Sequence, residues 1–198
     1  MPDSTIPRQV RSAGRPPRID PDAVAAVAVR LFAARGYEAT SMDEIAAAAG
    51  IGRKSLYRYF PSKSALVWGG LEEATAASRG ILGDRDASAP GDPLEVLRAA
   101  AVASVRALPD LAVTRGRLRL IAEHPELGAH SYAMLEGQRQ AVVDFLVDSG
   151  LSSSRAYYVS AAYSAALFAG WLHWAKGEDA EPLPHLLEAL HVLRIPGP

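Results

Sequence analysis

The stretch from Leu31 to Leu66, LFAARGYEATSMDEIAAAAGIGRKSLYRYFPSKSAL, decides the fold. Within it, Ser41-Met42-Asp43-Glu44 is a capping box, with Ser41 as N-cap and Glu44 three residues on, so a helix opens there. That helix is short, running through Ala49 and stopping at Gly50. Only Gly50-Ile51-Gly52 separates it from the next helix, Arg53–Phe60, which Pro61 breaks. Two short amphipathic helices joined by a three-residue glycine turn have the spacing of a helix-turn-helix. Ile45 and Ala49 face the helix before them, and Leu56 and Phe60, four apart, are the apolar anchors of the third helix. Its other face carries Arg53, Lys54, Ser55, Tyr57, Arg58 and Tyr59. A helix with two anchors and donors elsewhere leaves its outer face for a partner. The major groove of B-DNA admits such a helix and rewards Arg and Lys paired with guanine.

Working outward, the helix that feeds this unit starts at Asp20 or Pro21 and ends at Gly36. Its stripe is Val24, Val27, Ala28, Leu31 and Phe32, at helical period. On the other side Ser62 caps a fourth helix expected to run to about Leu82, with a kink or close contact at Gly69-Gly70. After a loop at 83–92, further helices are expected over about 93–107, 110–123, 125–149, 153–176 and 182–194. Proline, glycine and Asp or Ser caps punctuate them. The expected fold is all-α: about nine helices, an N-terminal three-helix unit and a larger helical body. The expected division is a basic arm at 1–19, a head at 20–64 and a body at 65–198.

Composition agrees with one or two globular domains in 198 residues, with 49% hydrophobic and 22% charged residues. Without cysteine there is no disulfide scaffold, zinc ribbon or thiol nucleophile. No secretory signal opens the chain, and the uncharged run Ala156–Ala175 holds three tyrosines and a histidine. A cytoplasmic protein with no membrane partner is the expectation. The net charge of −1 hides a basic head on an acidic body, as expected of a head that meets a polyanion. Arg outnumbers Lys 18 to 3, but 37 alanines make a GC-rich genome an equally good cause.

The ordered string over residues 20–66 resembles the DNA-binding domain of the TetR family of bacterial regulators. The hallmarks are Gly36-Tyr37, Thr40-Ser41, Ile45-Ala46, Ala49-Gly50, Leu56-Tyr57, Tyr59-Phe60 and Ser62-Lys63. GRPPRI and RYFPSKSALVWG further resemble the TetR-type regulators encoded with mycofactocin biosynthesis clusters. Gly52 stands where the family usually has a Ser or Thr cap, and Tyr59 where a His is frequent. With the chemistry of these residues, the resemblance implies phosphate contacts from Thr40, Ser41 and Lys63, aided by Tyr57 and Tyr59. Arg53, Lys54 and Arg58 are the base-edge candidates, and Arg11, Arg15 and Arg18 have the look of a degraded minor-groove arm.

The resemblance also implies a homodimer on palindromic double-stranded DNA, built from the last two helices as a four-helix bundle. Ala162, Ala166 and Gly170 on one helix, with Leu186, Leu190 and Leu193 on the next, are the interface candidates. The remaining helices should enclose an effector pocket, with Trp68, Leu71, Leu97, Leu118, Ile121, Met134, Gln138, Phe145 and Trp171 as candidate lining. Arg115, Arg117 and Arg119 are candidates for an anionic end, and a hydrophobic or acyl-CoA-like molecule is the expected effector. No cofactor or metal is expected: the five histidines show no i, i+4 pair and no carboxylate-rich company. No catalytic motif is present, so an enzyme is not expected. The alternatives are a helical protein-interaction adaptor, or an activator without a small-molecule effector.

Overall fold

The computed structural model describes residues 19–84 and 92–193, and every regular element among them is a helix. α1 (Pro21–Arg35) is capped by Asp20, whose Oδ1 accepts from the N–H groups of Asp22 and Ala23. It ends at Gly36, whose φ of +92° needs a residue without a Cβ. Val24, Ala28 and Phe32 are buried, but Val27 and Leu31 are only half-buried, and Ala25 and Val29 take the interior places. The stripe turns because the helix packs on two sides, toward the rest of the head and toward the body. α2 (Met42–Ala48) and α3 (Arg53–Tyr59) form the helix-turn-helix, with Gly50 at φ +67° in the turn.

The expected helix at 62–82 is two helices, α4 (Lys63–Trp68) and α5 (Glu72–Gly83). Gly69 and Gly70 break it because the backbone runs close to its neighbours there. A Cβ on Gly69 would stand 2.9 Å from the Phe60 ring and 3.2 Å from Ala25. Gly70 has φ +75°, and a Cβ there would stand 2.7 Å from the Arg117 guanidinium. Gly70→Ala is therefore expected to cost about 1–2 kcal/mol through its left-handed backbone alone. Denaturant unfolding checks this; a variant as stable as the parent would place no strain at the turn.

The body continues with α6 (Pro93–Arg106), capped by Asp92, and α7 (Leu111–Glu123), capped by Asp110. The expected helix at 125–149 is three pieces, α8 (Pro125–Ala129), α9 (Ser131–Met134) and α10 (Glu136–Asp148). α11 (Ser153–Lys176) and α12 (Leu183–His191) close the chain. Nine of the twelve described helices have seven residues or more.

Two large cores hold these helices. One joins the head to the body: Val24, Val29, Phe32, Ile45, Leu56, Phe60 and Leu66 are continuous with Val113, Leu120, Ile121 and Leu127 of α7 and α8. Trp68 Nε1 donates to the carbonyl of Leu127 at 3.2 Å across that junction. The other packs α5, α6, α10, α11 and α12, with Leu97, Val142, Leu146 and Tyr163 at its centre.

The small-residue seam expected to face a second copy closes within the protomer at Gly170. Gly170 faces α12 of its own chain, where a Cβ would stand 3.0 Å from the His185 carbonyl and 3.1 Å from Ala189. Leu186 and Leu190 are fully buried in the same protomer. Spacing revealed a close helix contact but not that its partner is intramolecular. Ala162 is exposed, and Ala166 and Leu193 are half-buried.

Candidate nucleic-acid interface and interior cavity

α3 stands on one fully buried side chain, Leu56, with Phe60 following it into the core. Arg53, Lys54, Tyr57, Arg58 and Tyr59 are exposed around it, and Ser55 is half-buried. The cations lie along the rings: Arg53 is 5.6 Å from the Tyr57 centroid and Arg58 5.0 Å from that of Tyr59. Arg53 Nε also lies 3.1 Å from Asp43 Oδ1 on α2, an exposed pair of small worth to stability. Such a pair leaves the guanidinium free to exchange partners. The face is thus a cationic and phenolic ridge on a rigid support.

The flanking residues are placed differently from one another. Thr40 is buried, and its hydroxyl donates to the Gly36 carbonyl at 2.8 Å, so it braces the end of α1 and has no hydroxyl to offer a phosphate. Ser41 is exposed, but its hydroxyl and its N–H both donate to Glu44 at 2.8 Å. Lys63 is half-buried; its Nζ donates to the Tyr37 carbonyl at 2.7 Å and lies 3.6 Å from Glu38. Arg11, Arg15 and Arg18 lie outside the described residues.

The Glu44 carboxyl is held below its ordinary value of 4.5 by the Ser41 N–H, then by the Ser41 hydroxyl and Arg35. A depressed carboxyl contributes stability that is whole above its unfolded value and is lost as pH falls through the lower folded one. Glu44→Gln is expected to melt earlier than the parent at neutral pH, with the gap closing below about pH 4. A gap independent of pH would mean that the box works without its charge.

The histidines are less isolated than the sequence suggested. His124 lies with Glu126 and Glu38, their ligand atoms within 4.8 Å of one another, and its ring packs 4.8 Å from that of Tyr37. Glu38 is 86 positions away in sequence, so only the fold makes this group. It sits where the head meets the α7–α8 corner, with Lys63 supplying positive charge beside it.

Inside the body, α4, α5, α6, α7, α10 and α11 surround a cavity of ≈ 130 Å³. Trp68, Leu71, Leu118, Ile121, Gln138 and Trp171 line it, together with Leu108, Leu167 and Phe168. Three candidates do not. Leu97 and Phe145 are buried in the second core, and Met134 points to solvent at 50% exposure. Gln138 Nε2 donates to Ser78 at 2.7 Å, and its Oε1 has no partner.

The three arginines of α7 part company. Arg115 donates to the Asp179 carbonyl and lies over the Trp174 ring; Arg119 Nε donates to the Ala175 carbonyl at 2.7 Å. These two tie down the end of α11. Arg117, two residues from each, turns the other way, is buried and lines the cavity.

Residues 25–67 match the family model for bacterial regulatory proteins of the tetR family, and residues 91–196 match that for the MftR C-terminal domain. The chain is 36% identical over 142 residues to a protein of Mycobacterium tuberculosis named as the mycofactocin biosynthesis transcriptional regulator MftR, covering 71% of this chain and 70% of that one. It is 38% identical over 101 residues to the regulator AcrR of Shigella flexneri, covering 49% of this chain and 43% of AcrR. Among solved structures it resembles the fatty acid degradation regulator FadR of Bacillus halodurans, with a TM-score of 0.57 at 18% identity over 88% of this chain and all of that one. It also resembles FadR of Bacillus subtilis, solved in complex with stearoyl-CoA, with a TM-score of 0.51 at 15% identity over 86% and 95% of the two chains.

Proposed function

Because the chain belongs to the TetR family of bacterial regulatory proteins and carries the MftR-type C-terminal domain, we propose that it is a repressor that reads a palindromic operator as a dimer. Its release from DNA falls to a small hydrophobic or amphipathic effector. Members are DNA-binding transcriptional regulators, not enzymes, and act as dimers. The observation that carries the DNA reading is the exposed ridge of α3 on its Leu56 anchor. In the proposed division, residues 1–19 are an arm, 20–64 the DNA-reading head and 65–198 the effector and dimerisation body. The dimer face is assigned to the exposed side of α11, where Ala161, Ala162, Ala165 and Ala169 leave room for close helix approach, with Val192 after α12. Two heads on one palindrome need a spacing of about 34–36 Å.

The cavity supports the effector reading: its walls are largely apolar with a few polar groups, and α4 forms part of them. A ligand that fits better with α4 displaced shifts the heads off groove spacing. The coupling equals the difference between its affinities for the two states, typically about 1–3 kcal/mol. A long-chain acyl-CoA or a similar amphipathic molecule is the proposed class. The test is a gel shift on the DNA beside the protein's own gene, first titrated with salt. Acyl-CoAs of rising chain length follow, with free CoA and a matched detergent as controls. Release that tracks chain length but not detergent supports the reading. No binding to that DNA at low salt would reject it as the operator.

A further inference from the structure

We propose that the cavity takes a carboxylate-bearing apolar molecule and that Arg117 holds the carboxylate. This rests on the cavity being the effector site, and within that reading it favours the free long-chain acid over its CoA thioester. Among the described residues that line it, Arg117 is the one charged side chain, and it is 3% exposed. Among the described residues no hydrogen bond or ion pair reaches its guanidinium, and its Nε is buried without a partner. Asp22 at the start of α1 acts on it only from beyond ion-pair distance. Burial lowers its pKa to about 10, which leaves it cationic at neutral pH. A buried cation is costly unless it is paired and hydrogen-bonded, so an anionic group entering the cavity would relieve that cost.

The chemistry narrows the occupant. One guanidinium presents a planar fork that matches one carboxylate and balances a single negative charge. A phosphate dianion would bring an uncompensated charge into the same apolar walls. Gln138 Oε1, the other unpartnered lining atom, is an acceptor and offers a carboxylate nothing. Trp68, Leu71, Leu118 and Phe168 supply the apolar remainder. Arg115 and Arg119, the neighbours that share its charge, are already spent on backbone carbonyls of α11 and the turn after it.

The experiment titrates decanoate, decanol and decanoyl-CoA, each below its micellar concentration, into the full-length protein and into Arg117→Met and Arg117→Lys. Tryptophan fluorescence reads binding, since Trp68 and Trp171 line the cavity. The parent is expected to prefer decanoate over decanol by about tenfold or more. Arg117→Met should lose that preference while leaving decanol and decanoyl-CoA, which carry no carboxylate, unchanged, and Arg117→Lys should restore part of it. Without ligand, Arg117→Met should melt no lower than the parent, because it removes an unpaired buried charge; a packing role would lower it. Equal binding of acid and alcohol to the parent, or equal loss of all three ligands in Arg117→Met, overturns the assignment. If none of the three binds the parent, the effector reading falls with it.

Discussion

Ala165→Arg is expected to give a folded monomer that no longer holds its operator. Ala165 is exposed on α11, and arginine is a good helix former, so the protomer should keep its melting temperature. A long cation in a small-residue face keeps a second copy from closing on it. With one head per molecule, the gain from binding two linked half-sites disappears, and that gain is about 10²–10⁴-fold. Gly170→Arg should behave in the opposite way. Its side chain would enter the contact with α12, against the His185 carbonyl, Ala189 and Leu186. Overpacking with a buried charge costs at least about 3 kcal/mol. For a chain of this size that is a fall of roughly 10 °C in melting temperature. Sedimentation and melting of the pair separate the two helix faces. An Ala165→Arg dimer with intact DNA binding would move the dimer surface off this side of α11.

The second large effect is expected at α3. Arg53→Ala removes a candidate base contact worth about 1–3 kcal/mol, and a dimer presents it twice, so operator affinity should fall by about 30-fold to 10⁴-fold. Stability should hardly change, because the Arg53–Asp43 pair is exposed on both sides. If Arg53 reads a base, discrimination between operator and scrambled DNA narrows. If it grips phosphate, binding weakens alike on both and the salt slope falls. Tyr57→Ala, from the same ridge, should lower affinity without that loss of discrimination. Native affinity in both variants would take α3 out of the interface.

Local signals explain what was legible. Ser41, Ser62, Asp92 and Ser152 were readable as starts because a cap acts on N–H groups two or three residues away, and all four accept such bonds. A kink or close contact at Gly69-Gly70 was readable from the glycines, but not the full break, which answers to distant neighbours such as Phe60 and Arg117. The breaks within 125–149 carried no such local mark. Arg117 could have been told apart. Val113, Arg117, Leu120 and Ile121 fall at i, i+4, i+7 and i+8, whereas Arg115 and Arg119 share the other side. Grouping the three by charge hides this difference. Thr40 matched a family hallmark and still turned inward, since a motif position says nothing of which way a hydroxyl donates. The Glu38–His124–Glu126 group joins residues far apart in the chain, and no spacing rule finds it.

The core shared by α1–α4 with α7 and α8 bears on how such regulators can be recombined. Operator preference invites grafting, in which the first 67 or so residues are exchanged for those of another regulator. Here the cut would pass beside Trp68, whose indole N–H is spent on the Leu127 carbonyl. It would also part Val29 from the notch at Gly116, where a Cβ would stand 3.1 Å from the valine methyl. A transplanted head would meet a socket shaped for different knobs. A working chimera has to carry Val113, Gly116, Leu120, Ile121 and Leu127 along with the head, although these lie more than 40 residues past the splice. The unit of exchange is set by the socket and is discontinuous in sequence.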